Sequence, residues 1–238
     1  YHGCISLNPD GSFTEIVVQG QAYSGKSYMD RVERLARQGY FAADPQERQY
    51  GQDAMWYLWS GARSPLYGKD KMATFERYFV RDKETHVERQ NPYYDFRDDE
   101  TVVNNIFAEF GVDPQAGCII NGHVPVKVKK GQSPIKANGK LIIIDGGLAK
   151  AYQKVTGIAG FTLIANSYGL LLAEHKPFDS AQKAIQENVD LESTTTSIFS
   201  YPRRQFVKDT DQGDALRHRI TTLLALVEAY RAGLVKEK

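Results

Sequence analysis

Two short apolar runs, and the text between them, constrain this chain more than any other feature. The first is Cys118-Ile119-Ile120, which ends in the turn Asn121-Gly122-His123. The second, residues 140–144, ends in Asp145-Gly146-Gly147. Apolar runs bounded by turn residues read as buried strands. A histidine just past the end of a buried strand, on a glycine turn, is placed to hold a metal. Residues 124–144 contain no carboxylate, while Lys127, Lys129, Lys130, Lys136 and Lys140 recur there. A metal-holding turn beside clustered cations points to metal-assisted chemistry on a phosphate.

Bulk properties narrow the field. A length of 238 residues allows one large domain or two small ones. With 42% hydrophobic and 25% charged residues, the composition is that of an ordinary globular protein. A net charge of +1 provides no global field toward nucleic acid or membrane, so any anion preference must be local. Cys4 and Cys118 read as two free thiols in a reducing cytosol, with one disulfide as the alternative. No apolar stretch approaches a membrane span and no signal peptide is visible, so a cytoplasmic location is expected.

Periodicity and turn residues assign the elements. Residues 1–7 read as a strand, Asn8-Pro9-Asp10-Gly11 as its turn, and residues 12–18 as a hairpin partner. Ser27 opens a helix whose face is Met29, Val32, Leu35 and Ala36. Residues 53–60 form a short aromatic helix, and 72–80 fit helix or strand. The polar segment 82–100 reads as an exposed connection, and 101–110 as a helix closed by Gly111. Val126 and Val128 alternate with polar residues and predict an extended arm. A helix over 148–155, strands over 160–166 and 169–175, and a helix over 180–189 follow. Residues 190–213 read as irregular. A last helix from Thr210 or Asp211 carries Leu216, Ile220, Leu223, Val227, Tyr230 and Leu234 at spacings of four and three.

The order strand, Gly122-His123-Val124-Pro125, basic loop, strand, Ile144-Asp145-Gly146-Gly147, then Gly160-Phe161-Thr162-Leu163 resembles the C-terminal half of calcineurin-like metallophosphoesterases. The longer text through residues 120–178 is similar to one branch, the class III fructose-1,6-bisphosphatases of Firmicutes and Bacteroidetes. That resemblance implies an α/β mixed-sheet layered sandwich, of which residues 1–178 are the C-terminal half and residues 179–238 a helical extension. It also implies two metals, most simply Mn²⁺, and hydrolysis of fructose 1,6-bisphosphate by a hydroxide that the metals activate. The family's Tyr/Cys-His-Gly and Gly-His turns fall on His2 and His123, as ligands of one metal. The motifs Asp-x-His, Gly-Asp-x-x-Asp-Arg-Gly and Gly-Asn-His-Glu are not in this sequence. The reading is therefore of a C-terminal portion, inactive alone, with no catalytic acid or base of its own and an upstream segment of the same protein as partner.

Four cations are the candidate substrate contacts: Lys136 and Lys140, which flank the turn Ala137-Asn138-Gly139, then Lys127, and Arg63. A bisphosphate needs cations for the phosphate that is not attacked. Any one of these lysines taken singly is more readily read as a solvated loop residue. Residues 58–63 resemble a protein-phosphatase segment only in part. Asp145 reads as a helix cap or as a support for a ligating histidine. His86 and His218 read as solvated. The terminal helix seam predicts a homo-oligomer or, equally, packing on its own domain. Rival functions are another metallophosphoesterase, such as a protein phosphatase or dinucleotide hydrolase, and a non-catalytic assembly or binding fragment.

Overall fold

The computed structural model describes residues 3–122, 124–147, 149–158, 160–178, 180–187 and 193–235. Among them the expected N-terminal hairpin is reduced to a single bridge, Leu7 with Phe13. Strand β1 (Ile16–Val18) instead turns forward onto β2 (Gln21–Tyr23). Gln19 and Gly20, both with positive φ (51° and 78°), make the tight two-residue turn that matches strand twist.

Helix α1 (Gly25–Phe41) begins before Ser27, with the Ser24 N–H donating to Ser27 Oγ at 3.0 Å. Helix α2 (Pro45–Ser60) is longer than the sequence predicts. The Asp44 carboxylate accepts from the N–H groups of Gln46 and Glu47 at 2.9 Å, and Pro45 fits the first turn. Gly39 and Gly51 let the two helices touch through their backbones. A Cβ on Gly51 would lie 2.2 Å from the Gly39 nitrogen, closer than any side chain allows. Leu35 and Leu58 are buried on the inner faces.

Helix α3 (Thr74–Phe79) settles the helix-or-strand ambiguity. The segment 82–100 is not uniformly exposed, because Tyr93 and Tyr94 are buried within it. Helix α4 (Glu100–Phe110) matches expectation: Asp99 caps it, and Gly111 at φ 66° closes it. It buries Val102, Val103, Ile106 and Phe107.

The two apolar runs are strands β3 (Ile119–Asn121) and, beyond β4 (Ile135–Lys136), β5 (Leu141–Ile143). Strand β5 lies between the others, parallel to β3 and antiparallel to β4. Leu141 and Ile142 are 0% exposed. The basic arm is not extended. Val126 is buried with its N–H on the Asp145 carbonyl at 2.9 Å, and Val128–Lys130 coils into one turn ended by Gly131.

Helix α5 (Lys150–Thr156), strands β6 (Gly160–Asn166) and β7 (Gly169–His175), and helix α6 (Ala181–Glu187) follow. A two-residue link makes β6 and β7 antiparallel. Strand β8 (Ser193–Ser200) joins β7 on its other side, where the sequence reads as irregular. Its threonines are polar but β-branched, and so fit a pleated edge. Helix α7 (Asp211–Arg231) starts at Thr210, whose Oγ1 accepts from the Gly213 N–H at 3.2 Å.

The architecture is α/β with one mixed sheet and antiparallel ones. The chain divides into two units, Tyr1–Thr162 with Glu174–Ser193, and Leu163–Ala173 with Thr194–Lys238. The first contains β3–β5–β4, α1, α2 and α4. In the second, the apolar seam of α7 is exposed at Leu216, Ile220, Leu223, Val227, Tyr230 and Leu234. Among the described residues no helix is long and apolar enough to cross a membrane.

Candidate functional site

His2 and His123 both lie outside the described residues, but their chain neighbours are joined. Strand β3 ends at Asn121, whose carbonyl accepts from the Ile144 N–H at 2.9 Å and so fixes the strand end against the second apolar run. The Asn121 side chain is buried, and its Nδ2 donates to the Gly3 carbonyl at 3.1 Å. That bond ties the turn before His123 to the residue after His2. Asn121 Oδ1 is also buried and, among the described residues, has no donor.

A third segment meets these two. The Cys4 N–H donates to the Pro65 carbonyl at 2.7 Å, and Gly3 sits at φ +107° with that carbonyl where a Cβ would be. No other residue fits there without moving the backbone. Ser64 shapes the third segment: its Oγ donates to the Leu58 carbonyl at 2.6 Å and accepts from the N–H groups of Leu66 and Tyr67 at 3.2 Å. Cys4 itself is buried.

Arg63 stands on this third segment. Its N–H donates to the Tyr57 hydroxyl at 3.2 Å, and its carbonyl accepts from the Tyr28 hydroxyl at 2.9 Å. Burial pushes the Tyr28 hydroxyl up to about 12, so it stays a donor at neutral pH. Arg63 lines a cavity of about 560 Å³, walled by Ile16, Val18, Leu35 and Leu58 and shared with Asp53 and Tyr50.

The lysines divide. Lys136 Nζ pairs with Asp98 at 2.8 Å, and Lys140 Nζ pairs with Glu100 at 2.6 Å while donating to Asn104 Oδ1 at 2.8 Å. These hydrogen bonds hold both carboxyls below the usual carboxylate range. The Ala137 N–H adds a bond to Asp98 at 3.0 Å, so the turn is clamped onto the start of α4. Lys127 is exposed; its backbone N–H donates to Gln132 Oε1 at 2.9 Å and its carbonyl accepts from the Lys130 N–H at 2.8 Å. Among the described residues no hydrogen bond or ion pair joins Arg63 or Lys127 to the Lys136–Lys140 turn.

Asp145 accepts from the Gly147 N–H at 2.9 Å, which is a turn-capping role. His175 Nε2 meets Thr162 Oγ1 at 2.7 Å, and His86 Nε2 meets the Val80 carbonyl at 2.8 Å. Sequence reasoning missed Asn121 as more than a turn residue. It also missed Arg97, half-buried over the Tyr94 ring at 5.2 Å, with Nη1 shut from water and, among the described residues, lacking an acceptor. Burial lowers the Arg97 pKa. The aromatic pair Tyr93-Tyr94 inside a charged stretch was the available signal for that buried patch. Among the described residues, no three His, Cys, Asp or Glu side chains gather to hold a metal ion.

The fold and these contacts define an α/β unit in which the end of β3, Gly3 and the Pro65 segment are held together, while the Lys136–Lys140 turn is clamped onto α4. The chain belongs to the Firmicute fructose-1,6-bisphosphatase family, which matches residues 1–232. It is 54% identical over 241 residues to a protein of Alkaliphilus metalliredigens (strain QYMF) named fructose-1,6-bisphosphatase class 3, covering 100% of this chain and 36% of that protein. A protein of the same name from Clostridium botulinum (strain Hall) is 55% identical over 239 residues, with the same coverage. The chain thus spans about a third of the length of these relatives. No solved structure matches it.

Proposed function

We propose that this chain supplies part of the site of a longer protein that hydrolyses fructose 1,6-bisphosphate to fructose 6-phosphate and phosphate. The observation that carries the reading is the Asn121–Gly3 hydrogen bond, because it joins the flanks of His2 and His123 across 118 positions. In this reading both imidazoles serve one cation, and Asn121 Oδ1, buried and without a donor among the described residues, adds an oxygen. Nitrogen with hard oxygen donors suits Mn²⁺. Two such cations, when bound, activate water and polarise the phosphoryl oxygens. The rest of the donor set, and the group that protonates the leaving alkoxide, come from the upstream segment.

The protein's own cations hold the substrate. Arg63 and Lys127 meet phosphate directly, whereas Lys136 and Lys140 do so in competition with Asp98 and Glu100. The parent fold is the calcineurin-like layered sandwich, residues 1–178 forming its C-terminal half and 179–238 an extension that ends in α7. The protein works in the cytoplasm, in gluconeogenesis, as a homo-oligomer.

Steady-state kinetics of the longer protein with Mn²⁺ test this. His123→Ala lowers kcat, because a ligand acts where charge develops. Lys136→Ala chiefly raises KM, because binding to the unattacked phosphate is shared by ground and transition states. Asn121→Ala lowers kcat at least about tenfold by freeing the two turns from each other. An Asn121→Ala enzyme with unchanged kcat overturns the site, and turnover by the 238-residue chain alone shows that the catalytic residues are elsewhere.

A further inference from the structure

We propose that the outer face of α2 is a docking surface for the polypeptide that the longer relatives carry beyond the region this chain matches. From Ala54 to Trp59 helix α2 is apolar on two sides, whereas its first half carries Gln46, Glu47, Arg48, Gln49 and Gln52. Its inner side, with Gly51 and Leu58, meets α1 and the cavity wall. Its outer side carries Met55, Trp56 and Trp59. Residues three and four apart share one stripe of a helix, so these three form a single patch. Trp56 is 79% exposed and Trp59 72%, and they are the only tryptophans in the chain. On the same hairpin, Tyr40 and Phe41 at the end of α1 lie edge to face at 4.7 Å and are also exposed.

A helical segment that is apolar on opposite sides is one that gets covered on both. Exposed aromatic patches mark interaction sites, and tryptophan is the residue type that most often carries interface energy. The length of the relatives argues for the occupant. About two thirds of it lies outside the matched region, and that polypeptide must pack against something. A strongly apolar face suits a permanent partner rather than a transient one. A tethered partner also meets it at high effective concentration, with no dependence on protein level. The inference rests on family membership and on exposure, and not on the reaction.

Hydroxyl-radical footprinting, read by mass spectrometry without substrate, tests it. Oxidation of Trp56 and Trp59 in the 238-residue chain is compared with that in the longer protein. The expected result is a fall of about tenfold or more in the longer protein, because oxidation follows side-chain exposure and an interface core excludes water. Equal oxidation in the two overturns the proposal. So does a dimer of the 238-residue chain in light scattering with both tryptophans already protected, since the occupant is then a second copy. As a second arm, Trp56→Lys with Trp59→Lys leaves the melting temperature of the 238-residue chain unchanged but makes the longer protein release this part on limited proteolysis. If that variant of the longer protein fails to fold, the wild-type footprint still decides. A loss of phosphatase activity leaves the footprint untouched, so failure of the proposed function and failure of this surface are told apart.

Discussion

Strand β5 and helix α2 are both rich in large apolar side chains, yet they lie at opposite ends of the exposure scale. Leu141 and Ile142 are 0% exposed; Trp56 and Trp59 are more than two thirds exposed. The strand has neighbours on both edges, β3 and β4. The helix packs its inner side on α1 and leaves Trp56 and Trp59 of its outer side uncovered among the described residues. Apolar content alone therefore does not locate the core of this chain. What matters is whether the chain's own elements can cover every apolar side, and for β5 they can.

The largest expected effect sharpens this contrast. Ile142→Asp places a charge where no water reaches, and is expected to cost more than about 4 kcal/mol and to abolish cooperative unfolding. Trp56→Lys in the same chain is expected to stay within about 0.5 kcal/mol, as for a surface site. Urea melts followed by circular dichroism compare the two, and similar losses would break the comparison.

A middle effect concerns the join between α1 and α2. Gly51→Ala pushes a methyl into the backbone of Gly39, so the helices must part. The expected cost is about 1–3 kcal/mol, measurable in the same melts. No loss would show that the hairpin slides, and that its outer face is not held in a fixed position.

The smallest effect is electrostatic. Glu88 accepts hydrogen bonds from Lys69 Nζ at 2.8 Å and from the Ala73 N–H at 3.0 Å, and the lysine bond is the main reason its carboxyl is held below the usual range. Its pKa is lower folded than unfolded. The stabilisation is therefore complete above the unfolded value, about 4.3, and is lost as pH falls through the folded value. Glu88→Gln should flatten that acid limb and leave the neutral plateau nearly level. An unchanged acid limb would show that another carboxylate sets it.

Much of the fold was legible because its signals are local. Gly111 ends α4, and the apolar runs are β3 and β5, as periodicity and turn residues predict. Misreadings arose where chemistry and geometry disagree. Asn8-Pro9-Asp10-Gly11 is the stronger turn sequence, but Gln19-Gly20 makes the hairpin. The threonines of β8 look like loop by polarity and behave as strand by branching. The site was less legible because its contacts are distant. No acid lies within four positions of Lys136 or Lys140 in the sequence, and their partners Asp98 and Glu100 come from 38 and 40 positions upstream. The Asn121–Gly3 bond spans 118 positions, and no local pattern announces it.

The burial of Cys4 beside that bond has a chemical consequence. Desolvation pushes its thiol up to about 12, and that of Cys118 to about 11. Peroxides and alkylating reagents attack the thiolate, which at neutral pH is on the order of one part in 100,000 for a pKa near 12. Oxidants that silence low-pKa cysteine enzymes would leave this sulfur reduced for as long as the surrounding strands stay shut. A thiol-specific dye then becomes a clock: its rate of reaction at Cys4 reports how often the Gly3 turn opens.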